Sequence, residues 1–250
     1  MLRVCALTIA GLLLAACAPA TGGDAPRLRP EVLETRRHDP SAFTQGLDLR
    51  DDQLFEGTGL VGDSRIVRGA DTVRLPGEVF GEGVAVVGAE LWQLTWQDGI
   101  AFRRSTGTLA ELGRVRYDGE GWGLCYQPSQ DRLIMSDGSS RLTFRDPRSF
   151  AVLGSVETGV SRLNELDCAG DVVWANVWQT DEIVRIDPGS GRVTAVVDAS
   201  GLPEPARSSD NVLNGIAAIP GTDEFWLTGK RWTGLYRVRF VPVDLGESGR

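Results

Sequence analysis

The chain has 250 residues, 31 of them glycine and 12 proline, with 42% apolar side chains and a formal net charge of −8. That acidity argues against nucleic acid as a partner and is compatible with a cationic ligand. One histidine, His38, and no CxxC or HExxH arrangement exclude a His-rich zinc centre.

Taken in chain order, Arg3, an apolar run from Leu7 to Leu14, and Leu14-Ala15-Ala16-Cys17 read as a lipoprotein-type signal over residues 1–16. The run is too short to span a bilayer, and the small residues before Cys17 form a lipobox. Cleavage before Cys17 and lipid attachment to its sulfur are expected. With Ala18 in place of aspartate, the expected location is the outer membrane of a bacterial cell envelope, facing the periplasm. Residues 17–30 read as a flexible tether, and 31–250 as one domain, expected to be a monomer.

Five motifs then recur about every 40 residues: FTQGLDL from Phe43, FGEGVAV from Phe80, EGWGLCY from Glu120, LNELDCA from Leu163 and LNGIAAI from Leu213. Aligned, they stack Gln45, Glu82, Trp122, Glu165 and Asn214 in one column. Second runs follow at Leu54, Leu91, Leu133, Val173 and Phe225, and third runs at Ser64, Ile100, Arg141, Glu182 and Leu235. Fourth runs follow at Asp71–Leu75, Leu109–Tyr117, Ala151–Glu157 and Arg192–Asp198. Apolar residues alternate with period two, the strand signature. A repeat of this length built only from strands predicts an all-β fold, a five-bladed β-propeller. The last repeat lacks a fourth run; Glu31–Arg37 can supply it and close the ring, which removes the exposed sheet edges.

Asp146-Pro147 and Asp187-Pro188-Gly189 are turn chemistry between third and fourth strands. The long insertion Ser200–Val212, with Arg207-Ser208-Ser209-Asp210, lengthens a loop of the kind that shapes specificity. Cys125 and Cys168 fall in equivalent columns on the inner strands of adjacent repeats. They are read as buried free thiols, because such strands are usually too far apart at mid-strand for a bridge.

Polar groups interrupt the inner strands where a purely structural blade would carry small or apolar residues. Gln45, Glu82, Glu120, Asn164, Glu165 and Asn214, with Lys230 and several tryptophans, converge on one end of the channel, the composition of a small-ligand site. The phrases HDPSAFTQGL (His38–Leu47), FGEG (Phe80–Gly83), LTWQ (Leu94–Gln97), GEGWGL (Gly119–Leu124), MSDGS (Met135–Ser139), LNEL (Leu163–Leu166), VWANVWQTD (Val173–Asp181), NVLNGIA (Asn211–Ala217) and TGKRW (Thr228–Trp232) carry a closer likeness. From Arg37 to Val238 the chain resembles the plant-type glutaminyl cyclases, which also occur in bacteria.

The resemblance implies conversion of the N-terminal glutamine of peptides or proteins into pyroglutamate with release of ammonia, and no required cofactor. It also implies room for a structural calcium ion in the channel, held by backbone oxygens. The family positions it carries over are Phe43, Gln45, Phe80, Glu82, Trp96, Trp122, Asn164, Trp178 and Lys230. Arg103 and Arg104 depart from the family pattern after Phe102, and so do Cys125 and Cys168; none of these is a pocket position.

Cyclisation needs a proton taken from the α-amine and one given to the departing ammonia, work that one carboxylate can do. Glu82 is the expected shuttle. Lys230 and Asn164 are expected to face the oxyanion, unless Lys230 instead pairs with Glu165, and Gln45 to orient the substrate. Phe43, Phe80, Trp96, Trp122 and Trp178 are expected to wall the pocket, and Trp92, Trp174, Trp226 and Trp232 to pack the blades. Two other readings stay open: a metal-dependent lactonase whose cage uses Glu82, Asn164 and Asn214, and a non-catalytic peptide-binding propeller.

Overall fold

A computed structural model describes residues 25–203 and 210–243. The signal over 1–16, Cys17 and Arg207-Ser208-Ser209 lie outside the described residues, as does the tether up to residue 24. β1 (Arg27–Arg37) begins inside the segment read as tether, so that segment gives its last four residues to a strand.

The rest of the fold follows in groups. The first holds β2 (Thr44–Arg50), β3 (Gln53–Thr58), β4 (Arg65–Arg68) and β5 (Asp71–Arg74). The second holds β6 (Gly81–Val87), β7 (Glu90–Thr95), β8 (Ile100–Ser105) and β9 (Glu111–Arg116). The third holds β10 (Leu124–Gln127), β11 (Arg132–Ser136), β12 (Arg141–Arg145) and β13 (Val152–Glu157). Next come β14 (Leu163–Ala169), β15 (Val172–Val177), β16 (Glu182–Ile186) and β17 (Val193–Asp198), then β18 (Leu213–Ala218), β19 (Glu224–Gly229) and β20 (Gly234–Pro242). Among the described residues the one helical element is a 3-10 turn at Pro128–Gln130.

The first three groups are four-stranded antiparallel sheets in chain order. The remaining strands form one eight-stranded sheet, ordered β14-β15-β16-β17-β1-β20-β19-β18. β1 runs antiparallel to β20 from Leu28↔Pro242 to Arg37↔Gly234, and it touches β17 in parallel at Arg27↔Val196 and Leu28↔Val197. This one strand covers two edges that would otherwise be open for pairing with another chain. The Asp-Pro turns are local: the Asp187 carboxylate accepts the Gly189 N–H at 2.9 Å, and that of Asp146 the Ser149 N–H at 2.7 Å.

The core is divided along the seams between successive groups. Phe55 and Ile66 pack on Val84 and Leu91; Trp92 and Leu94 on Leu124 and Leu133; Ile134 and Leu142 on Leu166 and Val184. Ile183 and Val197 pack on Ile216 and Leu227, and Leu47 on Ala217 and Trp226. Fully burying each such side chain contributes about 1.5–3 kcal/mol. The first strands touch in a closed cycle, β2 to β6, β10, β14, β18 and back to β2.

In that cycle backbones come close enough to need glycine. The Gly83 N–H donates to the Trp122 carbonyl at 2.8 Å, and a Cβ on Gly83 would lie 2.6 Å from that oxygen. On Gly123 it would lie 2.1 Å from the Asn164 oxygen. Strand pairing corrects the sequence alignment here. Leu47, Val84, Leu124, Leu166 and Ile216 are equivalent, opposite Glu56, Gln93, Met135, Ala175 and Leu227. The polar column two residues earlier is therefore Gln45, Glu82, Trp122, Asn164 and Asn214. Glu165 falls instead in the column of Gly46, Gly83, Gly123 and Gly215, and its carboxylate accepts the N–H groups of Leu47 (3.0 Å) and Ile216 (2.8 Å). It ties β14 to β2 and β18 and is no partner of Lys230.

The same register explains the second correction: Cys125 and Cys168 are disulfide-bonded, with Cα atoms 5.4 Å apart. They are not in equivalent columns. Cys125 belongs with Asp48 and Asp167, one residue after the leucine column, and Cys168 with Val86 and Ala218, two after it. The Asp48 carboxylate takes the Val86 N–H at 2.6 Å and that of Asp167 takes the Ala218 N–H at 2.5 Å. The disulfide is thus a third instance of one diagonal tie between neighbouring first strands. Replacing both cysteines by serine opens a cross-link spanning 43 residues, and denaturant titration is expected to show a loss of about 2–4 kcal/mol.

Candidate active site

The polar column borders a cavity of about 400 Å³ at the starts of β2, β6 and β14 and just before β10. Phe43, Gln45, Phe80, Glu82, Trp96, Trp122, Asn164, Trp178 and Lys230 all line it, so the nine positions singled out in the sequence meet in one place. Asp210 lines it as well. Sequence reasoning does not place Asp210 in the site; its signal is the long insertion before β18. Trp92, Trp174, Trp226 and Trp232 are buried away from the cavity, as expected for packing groups.

The wall is built from edge-on aromatic contacts. Phe80 meets Phe43 with ring centroids 6.2 Å apart and Trp96 at 5.7 Å, while Trp122 meets Trp178 at 5.4 Å and 89°. Such geometry sets the positive edge of one ring against the negative face of another. The Lys230 Nζ sits 4.8 Å from the centre of the Phe43 ring, a cation–π contact.

The polar floor is a chain of side chains from the column. Asn214 Nδ2 donates to Gln45 Oε1, and Gln45 Nε2 donates to Glu82 Oε1, each at 3.1 Å. Asn214 Nδ2 also reaches the Thr44 carbonyl at 3.1 Å, which fixes which way its amide faces. Glu82 is 5% exposed, and its Oε2 has no hydrogen-bond partner; neither has Asn164 Oδ1, on a residue 2% exposed. Buried acceptors are rarely left unpaired. Both residues line the cavity, and a bound group that donates N–H would satisfy them.

Comparison with known proteins agrees with this geometry. The family model for glutamine cyclotransferase matches residues 4–240. The chain belongs to the glutamine cyclotransferase family. Glutaminyl-peptide cyclotransferase of Arabidopsis thaliana is 35% identical over 228 residues, spanning 84% of this chain and 70% of that protein. The crystal structure of Myxococcus xanthus glutaminyl cyclase superposes with a TM-score of 0.83 at 36% identity, covering 88% of this chain and all of that one.

In this member of the glutamine cyclotransferase family the electrostatics of the cavity follow from burial. Desolvation pushes the Glu82 carboxyl well above the usual carboxylate range, with the Lys230 charge opposing and the Glu120 charge adding to the rise. Burial likewise lowers the Lys230 ammonium from its ordinary value, against the pull of Glu82 and Asp210.

Glu120 works at the rim. Its Oε2 accepts the indole N–H of Trp96 (2.8 Å) and of Trp122 (2.9 Å), and its Oε1 the Gln97 amide (2.9 Å). Burial would raise its pKa, but these three bonds outweigh that and hold it low. One carboxylate thus fixes two wall indoles, of which Trp96 is 37% exposed and so has the more to lose. Glu120→Ala is expected to raise KM about tenfold, the effect of losing roughly 1.4 kcal/mol of binding, with a smaller change in kcat. Steady-state kinetics check this, and an unchanged KM would remove Glu120 from the binding wall.

Proposed function

We propose that this pocket converts the N-terminal glutamine of peptides and proteins into pyroglutamate, releasing ammonia by acid–base chemistry that requires no metal. We further read the scaffold as a five-bladed propeller closed by its N-terminal strand. Supporting that reading are three four-stranded sheets, two further four-stranded halves joined through β1, and first strands in a closed cycle.

The observation that carries the function is the pairing of two unpartnered acceptors, Glu82 Oε2 and Asn164 Oδ1, with one buried cation, Lys230, inside an aromatic wall. A folded glutamine side chain supplies the complement: amine and carboxamide N–H groups for the acceptors, and a carboxamide oxygen for the cation. The α-amine attacks Cδ, forming the ring C–N bond as the carbonyl electrons move onto oxygen. Glu82 takes the amine proton and passes it to the carboxamide nitrogen, and the C–N bond to that nitrogen breaks to release ammonia. A protonated Glu82 with a free amine and an ionised Glu82 with an ammonium hold the same number of protons, so either can enter. Lys230 faces the oxyanion. Asn164 lines the same cavity, its Nδ2 able to serve the oxyanion beside Lys230. Gln45 holds Glu82 through its Oε1, and the aromatic wall keeps water from competing with the amine. The attack is intramolecular, so much of the entropic cost is met within the substrate.

A lactonase metal held by Glu82, Asn164 and Asn214 would have a single carboxylate to bind it. No group of three or more His, Cys, Asp or Glu residues that could hold an ion occurs among the described residues. Asn214 presents its N–H to Gln45 and Thr44, and both Glu165 oxygens are taken by backbone amides. Purified protein given a Gln-initiated dipeptide should form pyroglutamate, detected by mass and ammonia release, at an unchanged rate after exhaustive chelation. Loss with chelator, restored by a divalent ion, would overturn the metal-free reading; no product under any condition would overturn the reaction.

A further inference from the structure

His38 is the chain's one histidine, and it does not line the pocket. It lies in the link between β1 and β2, with its side chain 6% exposed. Its Nδ1 is 2.8 Å from the carbonyl oxygen of Trp232, and its Nε2 is 3.0 Å from Glu56 Oε1 on β3. A carbonyl only accepts, so Nδ1 must carry a proton, and a neutral imidazole has only one to give. Glu56 Oε1 also accepts from Thr44 Oγ1 at 2.7 Å. Glu56 as a carboxylate can only accept at that oxygen, which makes Nε2 a second donor and the ring an imidazolium.

What the ring holds is the turn that carries Lys230. Its backbone adds a bond, His38 N–H to the Thr233 carbonyl at 2.9 Å, and the Arg231 N–H reaches back to the Ala42 carbonyl at 2.7 Å. Arg231 has φ +58°, a conformation that a residue with a Cβ keeps only when its surroundings enforce it. On the other side, Thr44 directly precedes Gln45, whose amide holds Glu82. The geometry points to His38, as an imidazolium, being the positioning residue for Lys230: it clamps the Lys230–Thr233 turn to the start of β2 and releases it on losing a proton.

The charged groups around the ring agree. Glu56 faces it from β3, and Asp39 adjoins it in the same link, itself paired at 3.2 Å with Arg65 of β4. From the turn only a carbonyl faces it, since Lys230 and Arg231 direct their charges at Phe43. Burial alone would lower the His38 pKa, but Glu56, the Trp232 carbonyl and Asp39 outweigh it and raise the value above the ordinary one. The clamp is therefore complete below about pH 6.5 and is lost as pH rises through the raised value.

The inference rests on the proposed role of Lys230, so its test has an arm that needs no activity. In the full chain, NMR of the single histidine should show both ring nitrogens protonated at about pH 6.5, where an ordinary imidazole is half neutral. The ring should titrate above the ordinary range, and the Lys230 Cε resonance should move with the same midpoint. In kinetics, the wild-type advantage over His38→Ala in kcat/KM should be tenfold to a hundredfold at low pH, the order that a misplacement of about 1 Å costs, and should fall toward one above that midpoint. Glu56→Gln should lower the ring midpoint and carry the activity change down with it. A ring already neutral at that pH, a Lys230 resonance that ignores it, or an advantage constant with pH would each overturn the proposal. If His38→Ala does not fold, the wild-type titration and Glu56→Gln decide. A wild type that makes no pyroglutamate while Lys230 still follows the ring would count against the reaction and for the clamp.

Discussion

Glu82→Gln is expected to lower kcat about 10³-fold, within the range of general acid–base contributions, while circular dichroism and substrate binding stay near wild type. The replacement is isosteric, and its amide oxygen can still accept from Gln45, which leaves the floor of the pocket in place. What disappears is the group that can both take and return a proton. Stability should move the other way. Because burial raises the Glu82 pKa, the folded chain keeps a proton that the unfolded chain has already lost above about pH 4.5. Wild-type stability therefore falls as pH rises from that value to the folded pKa, and a glutamine does not share the loss. Thermal melts of the two proteins from about pH 4.5 upward should diverge in favour of Glu82→Gln. A variant with wild-type turnover would remove Glu82 from the proton path.

Lys230→Met is expected to lower kcat/KM by about 10²- to 10³-fold, the loss found when a donor to an oxyanion is removed. Methionine keeps most of the length and an apolar stem, while the charge that faces Phe43 is lost. A second consequence separates this from simple disruption. The Lys230 charge holds the Glu82 pKa down against burial, so its removal should move the Glu82-dependent limb of the rate profile to higher pH. A slower enzyme with an unmoved limb would mean that Lys230 does not share the cavity's field with Glu82.

Much of the fold is legible in the sequence because each strand group announces itself by alternation and by a Gly- or Asp-Pro-marked turn. The missing fourth run of the last repeat is enough to assign Glu31–Arg37 to it, and β1 pairs with β20 there. The errors share one physical source. Aligning LNEL by its leading leucine sets Leu163 level with Phe43 and Phe80, whereas Leu163 pairs with Val177 as Thr44 does with Thr58 and Gly81 with Thr95. β2, β6, β14 and β18 share the same irregularity near their start, so the slip lies in the alignment alone, and a one-residue slip in a strand moves every side chain to the other face. That slip puts Glu165 in the polar column in place of Asn164 and sets Cys125 level with Cys168, concealing the disulfide. Glu120 is visible in the sequence as a polar residue near the mouth. That one carboxylate holds two indoles is not, since it depends on the approach of two different sheets. Asp210 is hidden for another reason: a loop has no period by which to be aligned.

The pairing of β1 with β20 joins Leu28 to Pro242, and Gln45 and Lys230 reach the pocket from opposite ends of the chain. A contact of such sequence separation is among the slowest to form, because its loop must close before it gains anything. A chain still emerging from the ribosome holds the residues of its first three sheets before Lys230, its one lysine, exists to complete the pocket. A pocket lined by both Gln45 and Lys230 is therefore assembled only late in synthesis, once the chain has passed residue 230.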